Sequence, residues 1–216
     1  MAKTLKVLVA CEESQEVCKA FRNLGHEAYS CDILDCSGGH PEWHIKDDVL
    51  NHLDKNWDLI IAHPPCTYIS KAGARFMYPT AGNIDETRLK KALEAKDFFL
   101  KILNSDCKHI CVENPTPLKV VGLPKASQVI QPYQFGHPYS KRTLLWLKNL
   151  PELKPTNILN EYKPFLPSNT SQFAKGRGGS KGVAKNSTES SKTFPGIAKA
   201  MAEQWSEIIE EYQNGR

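Results

Sequence analysis

Long hydrophobic runs are missing from this chain of 216 residues. None approaches the roughly 20 residues that a helix needs to cross a bilayer, so no membrane partner is expected. The N-terminal stretch MAKTLKVLVACEE has too short an apolar segment before its acidic pair to read as a secretory signal. The seven cysteines are an odd number without a small-domain framework in their spacing. That excludes a disulfide-stapled scaffold and points to reduced thiols in the cytoplasm. A strong charge of either sign is also absent. The 28 Lys and Arg against 24 Asp and Glu leave +4, which permits a polyanionic partner without requiring one. With 40% hydrophobic residues, the chain suffices for one well-buried domain and is short for two.

The chain alternates strands and helices. Leu5 to Ala10 reads as a buried strand, and Ser14 to Leu24 carries Val17, Ala20, Phe21 and Leu24 at helical spacing until Gly25 stops it. Glu27 to Asp32 gives a second strand ending in an acid. Residues 37–44 read as a loop, Asp47 to Leu50 as a short helical turn, and Trp57 to Ala62 as a third strand. Residues 85–103 form an amphipathic helix that leads into a strand over His109 to Val112. This alternation predicts an α/β fold with a mostly parallel sheet, right-handed crossovers and a ligand crevice at the strand C-termini.

Further on, Val129 to Tyr133 and Thr143 to Leu147 flank Gly136-His137-Pro138 and predict a hairpin-like extension. Residues 151–167 are Pro-rich and irregular. The segment 174–192 holds four glycines and no aromatic residue, with Lys175, Arg177, Lys181, Lys185 and Lys192 against the single acid Glu189. Such a composition buries too little apolar surface to order itself, and suits either a solvated loop or a phosphate-binding arm. From Phe194 to Tyr212, Ile197, Met201, Trp205, Ile208 and Ile209 make a stripe expected to dock on the core. The expected divisions are a core over 1–150, a reduced region with a basic loop over 151–192, and a closing helix over 193–216.

Chemistry concentrates at two strand ends. Pro64-Pro65-Cys66 places a thiol just past the third strand, and Glu113-Asn114-Pro115 places a carboxyl group and an amide past the fourth. If those strands are parallel neighbours, a nucleophile and an acid/base group meet at one edge. A thiolate attacks carbon far better than a thiol, so Cys66 needs electropositive help, for which Arg142 is a candidate. Cys31, Cys36, His40 and His44 form a Cys-x4-Cys-x3-His-x3-His array whose spacing matches no common structural zinc site, and no metal is expected. His63 reads as a packing or hydrogen-bonding residue. Tyr68, Phe76 and Tyr78 suit either stacking on a base or covering the core.

His63-Pro64-Pro65-Cys66, then Glu113-Asn114-Pro115, then Gln134 to Arg142, resemble in order and spacing the cytosine-5 DNA methyltransferases, and small phage and prophage members most of all. The likeness covers residues 5–148, and Thr193 to Ala200 resembles the family's last motif. It implies a Rossmann-like class I methyltransferase fold in the cytoplasm of a bacterium or phage-infected host. The implied activity is methylation of cytosine C5 in DNA with S-adenosylmethionine. Cys66 would be nucleophile, Glu113 the base anchor, its protonated form favoured in a dry pocket, and Arg142 a supporting cation. Pro65, Tyr68 and Asn114 would lie at the substrate, with Asn114 holding the loop, and Lys175, Arg177 and Lys181 would meet phosphates. Cofactor contacts would come from Cys11, Glu12, Ser14, Asp32, Ile33, Asp48, Val49 and Pro64, with Asp32 on the ribose and Asp48 on the adenine. Both carboxylates have an alternative reading as helix caps.

Two departures stand out. The family has a Phe-x-Gly-x-Gly turn after the first strand, whereas Ala10 to Gln15 has no glycine. The stretch between the Arg142 segment and the last motif is also shorter than the family's target-reading domain, which implies weak specificity or a short target. Methylation of a free cytosine nucleotide, methylation of an amino group, and a catalytically weakened binding protein stay open as alternatives.

Overall fold

The computed structural model describes residues 4–165, 189 and 191–213. Strand β1 (Lys6–Ala10) is followed by helix α1 (Glu16–Asn23), then β2 (Glu27–Asp32), β3 (His44–Lys46) and β4 (Leu59–Ala62). Helices α2 (Ala74–Met77) and α3 (Glu86–Leu103) lead to β5 (Ile110–Pro115). The rest comprises β6 (Gln128–Ile130), β7 (Tyr139–Ser140), β8 (Thr143–Lys148), β9 (Lys163–Pro164) and α4 (Pro195–Gln213).

Seven strands form one sheet in the order β3-β2-β1-β4-β5-β8-β6. The first five are parallel neighbours, and β8 runs antiparallel to both β5 and β6. This is the expected Rossmann-like arrangement. Because β1 pairs with both β2 and β4, the winding direction reverses between β1 and β4, and there the loops after the strands diverge to leave a crevice.

Period-two alternation sorts the strand residues between two cores. Val7, Val9, Leu59 and Ile61 face Val17 and Phe21 of α1 and Met201 and Trp205 of α4. Leu8, Ala10, Ile60 and Ala62 face Ala92, Phe99 and Ile102 of α3. Burial on both faces explains the unbroken apolar runs of β1 and β4. Each large side chain removed from water contributes about 1.5–3 kcal/mol. Asp85 caps α3 by accepting from the Arg88 N–H at 2.6 Å, and Gly25, at φ 87°, ends α1 in the left-handed region where glycine is unstrained.

Two expectations change. His44, read as the end of the 37–44 loop, instead opens β3, because pairing with β2 orders a three-residue segment too short and polar to show alternation. The predicted hairpin-like pair forms, with β6 antiparallel to β8, but as part of the main sheet rather than as an extension, since β8 also pairs along its full length with β5. Residues 151–165 fold back onto this edge, where Leu153 exchanges two hydrogen bonds of 2.8 Å with the Gln128 side chain. The basic residues Lys175, Arg177 and Lys181 lie outside the described residues.

Candidate active site at the sheet switch point

Ala10 and Ala62 are register partners at the ends of β1 and β4, and the His63 N–H donates to the Ala10 carbonyl at 2.9 Å. The loops beginning at Cys11 and His63 therefore leave the sheet side by side, with the end of β5 next in line.

The first loop reaches a tight conformation without glycine. Cys11 and Gln15 sit at φ 58° and 59°, in the left-handed region that costs side-chain-bearing residues about 1–3 kcal/mol each. The turn is held because the Cys11 and Glu12 N–H groups both donate to the Cys31 carbonyl, at 2.7 and 3.3 Å. Gln15 is buried and secures the loop before β3. Its Nε2 donates to the His40 carbonyl at 2.8 Å, and its Oε1 accepts from the His40 N–H at 3.0 Å.

Ser14 does not cap α1. The capping groups are the Glu12 carboxylate oxygens, which accept from the Val17 N–H at 2.7 Å and the Cys18 N–H at 3.2 Å. Burial pushes the Glu12 pKa up, against the pull of His63 and of those two N–H groups.

A cleft of about 440 Å³ opens beside this loop. Cys11, Asp32, Ile33, Asp48 and Val49, which the resemblance assigns to the cofactor, line it together with Pro65, which it assigns to substrate. Glu12, Ser14 and Pro64 are not in its wall. Both acids do cap turns: Asp32 Oδ1 accepts from the Leu34 N–H at 2.9 Å and Asp48 Oδ1 from the Leu50 N–H at 3.0 Å. Each recorded bond uses Oδ1, so capping does not consume Oδ2. Ile33 is 71% exposed, which presents an apolar side chain to any ligand in the cleft. Burial first, then the charges of Asp32, Cys31 and Asp48, push the Cys11 thiol far up, which disfavours its thiolate.

The cysteine–histidine array does not converge. Cys31 donates to the Asp47 carbonyl, Cys36 to Gln15 Oε1, and His44 bonds Ser30 and the Leu34 carbonyl. Among the described residues no cluster of three or more His, Cys, Asp or Glu could hold a metal ion.

Cys66 is half-buried at the mouth of the next loop. Its carbonyl accepts from the Ile69 and Ser70 N–H groups at 3.2 and 2.9 Å, which curls the loop back on itself. Burial and the Glu113 charge raise its pKa, while its own backbone N–H, Lys141 and the Ser70 hydroxyl pull the other way. Asn114 donates from Nδ2 to the Pro64 carbonyl at 2.8 Å and so ties the loop to the end of β5. Tyr68 lies under two cations of α3, with the Arg88 guanidinium 5.1 Å and the Lys91 ammonium 5.5 Å from its ring centre.

Glu113 pairs with His63: Nδ1 donates to Oε2 at 3.0 Å, with both side chains largely buried. Burial would raise the carboxyl pKa, but the His63 hydrogen bond and charge, with Lys141, outweigh it and hold Glu113 below the usual carboxylate range. The expectation of a protonated acid in a dry pocket is thus reversed. His63 moves up for the matching reason: burial pulls it down, and the bond and charge of Glu113, with Glu12, overcome that.

The cation coupled to Cys66, Glu113 and His63 is Lys141; Arg142 is exposed. Sequence reasoning missed Lys141, which precedes the first residue of β8 and carries no local pattern that sets it apart from Arg142. The last motif meets the Gln134 to Arg142 segment rather than the cleft wall. Gly196 donates to His137 Nε2 at 2.9 Å, and the Phe194 ring lies 5.1 Å from that of His137.

No family model matches the chain, and no curated protein matches it by sequence. Among solved structures, it is similar to a candidate DNA modification methyltransferase encoded within a prophage of E. coli, at 14% identity and a TM-score of 0.44, over 72% of this chain and 52% of that one. It is similar to the Entamoeba histolytica methyltransferase EhMeth at 15% identity and a TM-score of 0.45, over 73% and 58%. For the S. pombe Dnmt2 methyltransferase the values are 15% and 0.40, over 74% and 52%. The chain thus spans between 52% and 58% of the length of these three proteins.

Proposed function

We infer that this chain methylates cytosine at C5 in DNA, with Cys66 as nucleophile and S-adenosylmethionine as donor. The observation that carries this reading is that the Cys66 loop and Glu113 leave neighbouring parallel strands and are tied together by the Asn114–Pro64 hydrogen bond, next to a cleft walled by Asp32, Asp48 and Pro65.

The cleft fits the donor. Its volume of about 440 Å³ lies in the range of small-molecule sites, roughly 300–1,000 Å³. Its two carboxylates at strand ends suit ribose hydroxyls and an adenine amino group, and Ile33 with Val49 offers apolar surface for the ring. When bound, S-adenosylmethionine supplies an electrophilic sulfonium methyl group.

The chain's own residues perform the remaining chemistry. Cytosine C5 is a poor nucleophile, and addition of the Cys66 sulfur to C6 turns it into an enamine carbon that can take a methyl group, after which a base removes the C5 proton and the S–C6 bond breaks to return the Cys66 thiolate. Glu113 grips the N3 and exocyclic amine edge, Lys141 lowers the cost of ionising the thiol, and Asn114 holds the Pro64 to Cys66 loop in place. A base inside a duplex cannot reach a half-buried thiol, so the target cytosine leaves the stack. The sequence 174–192 supports phosphate contact with little base reading, through Lys175, Arg177 and Lys181.

The test is incubation with labelled donor and either mixed-sequence DNA or dCMP, followed by nucleoside analysis. The reading expects 5-methylcytosine in DNA, lost in Cys66→Ser. N4-methylcytosine, N6-methyladenine, product from dCMP alone, or absence of donor binding by calorimetry would each overturn it.

A further inference from the structure

His63 is the residue that neither the resemblance nor its own sequence context explains. Its imidazole is bonded through Nδ1 at 3.0 Å to Glu113 at the end of β5, and the charge of Glu12, after β1, also acts on it. Lys141, before β8, is the opposing cation. The second ring nitrogen, Nε2, is buried and has no hydrogen-bond partner among the described residues. The recorded contact occupies only Glu113 Oε2, so Oε1 remains for a ligand.

A group fixed in this way constrains what Glu113 can bind. An ionised carboxylate is acceptor-only, so it takes a hydrogen bond from an exocyclic amine but repels the lone pair of an unprotonated ring nitrogen. The adjoining nitrogen must then carry a proton to sit against it. Resting on the cytosine reading above, we propose that His63 is a positioning residue that keeps Glu113 an anion oriented to bind cytosine in its N3-protonated form.

The protons balance. The Cys66 thiol releases its proton to solvent, which reaches the half-buried residue, and N3 takes one proton from solvent. The sulfur lone pair forms the S–C6 bond, the C5–C6 π pair becomes the C4–C5 π bond, and the N3–C4 π pair is retained on the protonated N3. The adduct is neutral, and no net proton is consumed. The raised pKa of His63 and the lowered one of Glu113 agree with a charged pair in the resting site.

Exchange of the cytosine C5 hydrogen with solvent, followed on mixed-sequence DNA without a methyl donor, reads adduct formation directly. In the wild type the rate should be level with pH and then fall as His63, whose pKa lies above the ordinary histidine value, loses its proton. His63→Gln should be about 10- to 100-fold slower and lack that falling limb, because glutamine does not titrate. Equal rates and profiles in the two proteins would overturn the proposal while leaving the cytosine reading intact. Wild-type exchange no faster than in Cys66→Ser would overturn the cytosine reading, and the proposal with it. Should His63→Gln fail to fold, NMR titration of the wild-type imidazole decides: titration above the ordinary histidine value supports the assignment, and titration below it overturns it.

Discussion

The Cβ of Gln15 occupies the space that a side chain at Gly38 would need, 2.5 Å from an ideal Cβ there, and the Ser14 carbonyl oxygen is equally close. The donor-side loop is thus built by mutual fit between a left-handed glutamine and a glycine from the next connection. Gly38→Ala should cost about 1–3 kcal/mol, because both obstructing atoms belong to a buried, hydrogen-bonded unit with no room to yield. Urea denaturation measures this; an unchanged midpoint would mean that the two loops do not pack in solution.

This loop also shows where the sequence stops being legible. Strands β1, β4 and β5 and helices α1, α3 and α4 were readable because long apolar runs and helical stripes record burial locally. Cys66 and Glu113 stood out by their places after apolar strands, whereas Asp32 and Asp48 were singled out only by the family resemblance. The glycine-free turn left donor contact there open, and in the structure Cys11 and Gln15 take left-handed φ because the Cys31 carbonyl and the residues around His40 hold them there. Nothing local encodes that. The His63–Glu113 pair spans 50 residues, and Lys141 was hidden beside a more familiar arginine; both depend on which strands become neighbours.

The His63–Glu113 pair makes stability depend on pH in a defined direction. His63 is raised above 6.5, so its contribution is full below that pH and fades as pH climbs through the folded value. Glu113 is lowered below 4.5, so its contribution is full above that pH and fades as pH drops through the folded value. The pair should therefore stabilise most between about pH 4.5 and 6.5. Glu12, raised by burial, acts oppositely, and Glu12→Gln should remove a loss of stability that sets in above 4.5. Removing one partner of a buried ion pair costs about 3–5 kcal/mol, so His63→Gln and Glu113→Gln should each approach that, with the double variant well short of their sum. Additive losses in a denaturation cycle would rule out the coupling.

Lys141 and Arg142 are separable by the reactivity of one thiol. Lys141 lowers the Cys66 pKa and Arg142 points outward, so Lys141→Ala should slow alkylation of Cys66 by iodoacetamide several-fold at neutral pH. Arg142→Ala should leave it unchanged. Because seven cysteines compete, labelling must be read at Cys66 by peptide mass spectrometry. A larger effect from Arg142→Ala would return the cation role to the arginine.

On the proposed DNA reading, the basic segment contributes affinity without discrimination. Each phosphate neutralised by Lys175, Arg177 or Lys181 releases counterions, and the slope of log affinity against log salt steepens by about 0.9 per contact on duplex DNA. Replacing all three by alanine should flatten the slope by up to about 2.7 if each meets one phosphate. The loss should be equal for unrelated sequences, because contacts to phosphate carry no base information. Fluorescence anisotropy over a salt series, with two duplexes of different sequence, measures both. A loss confined to one duplex would make the segment a reader of bases, and an unchanged slope would remove it from the interface.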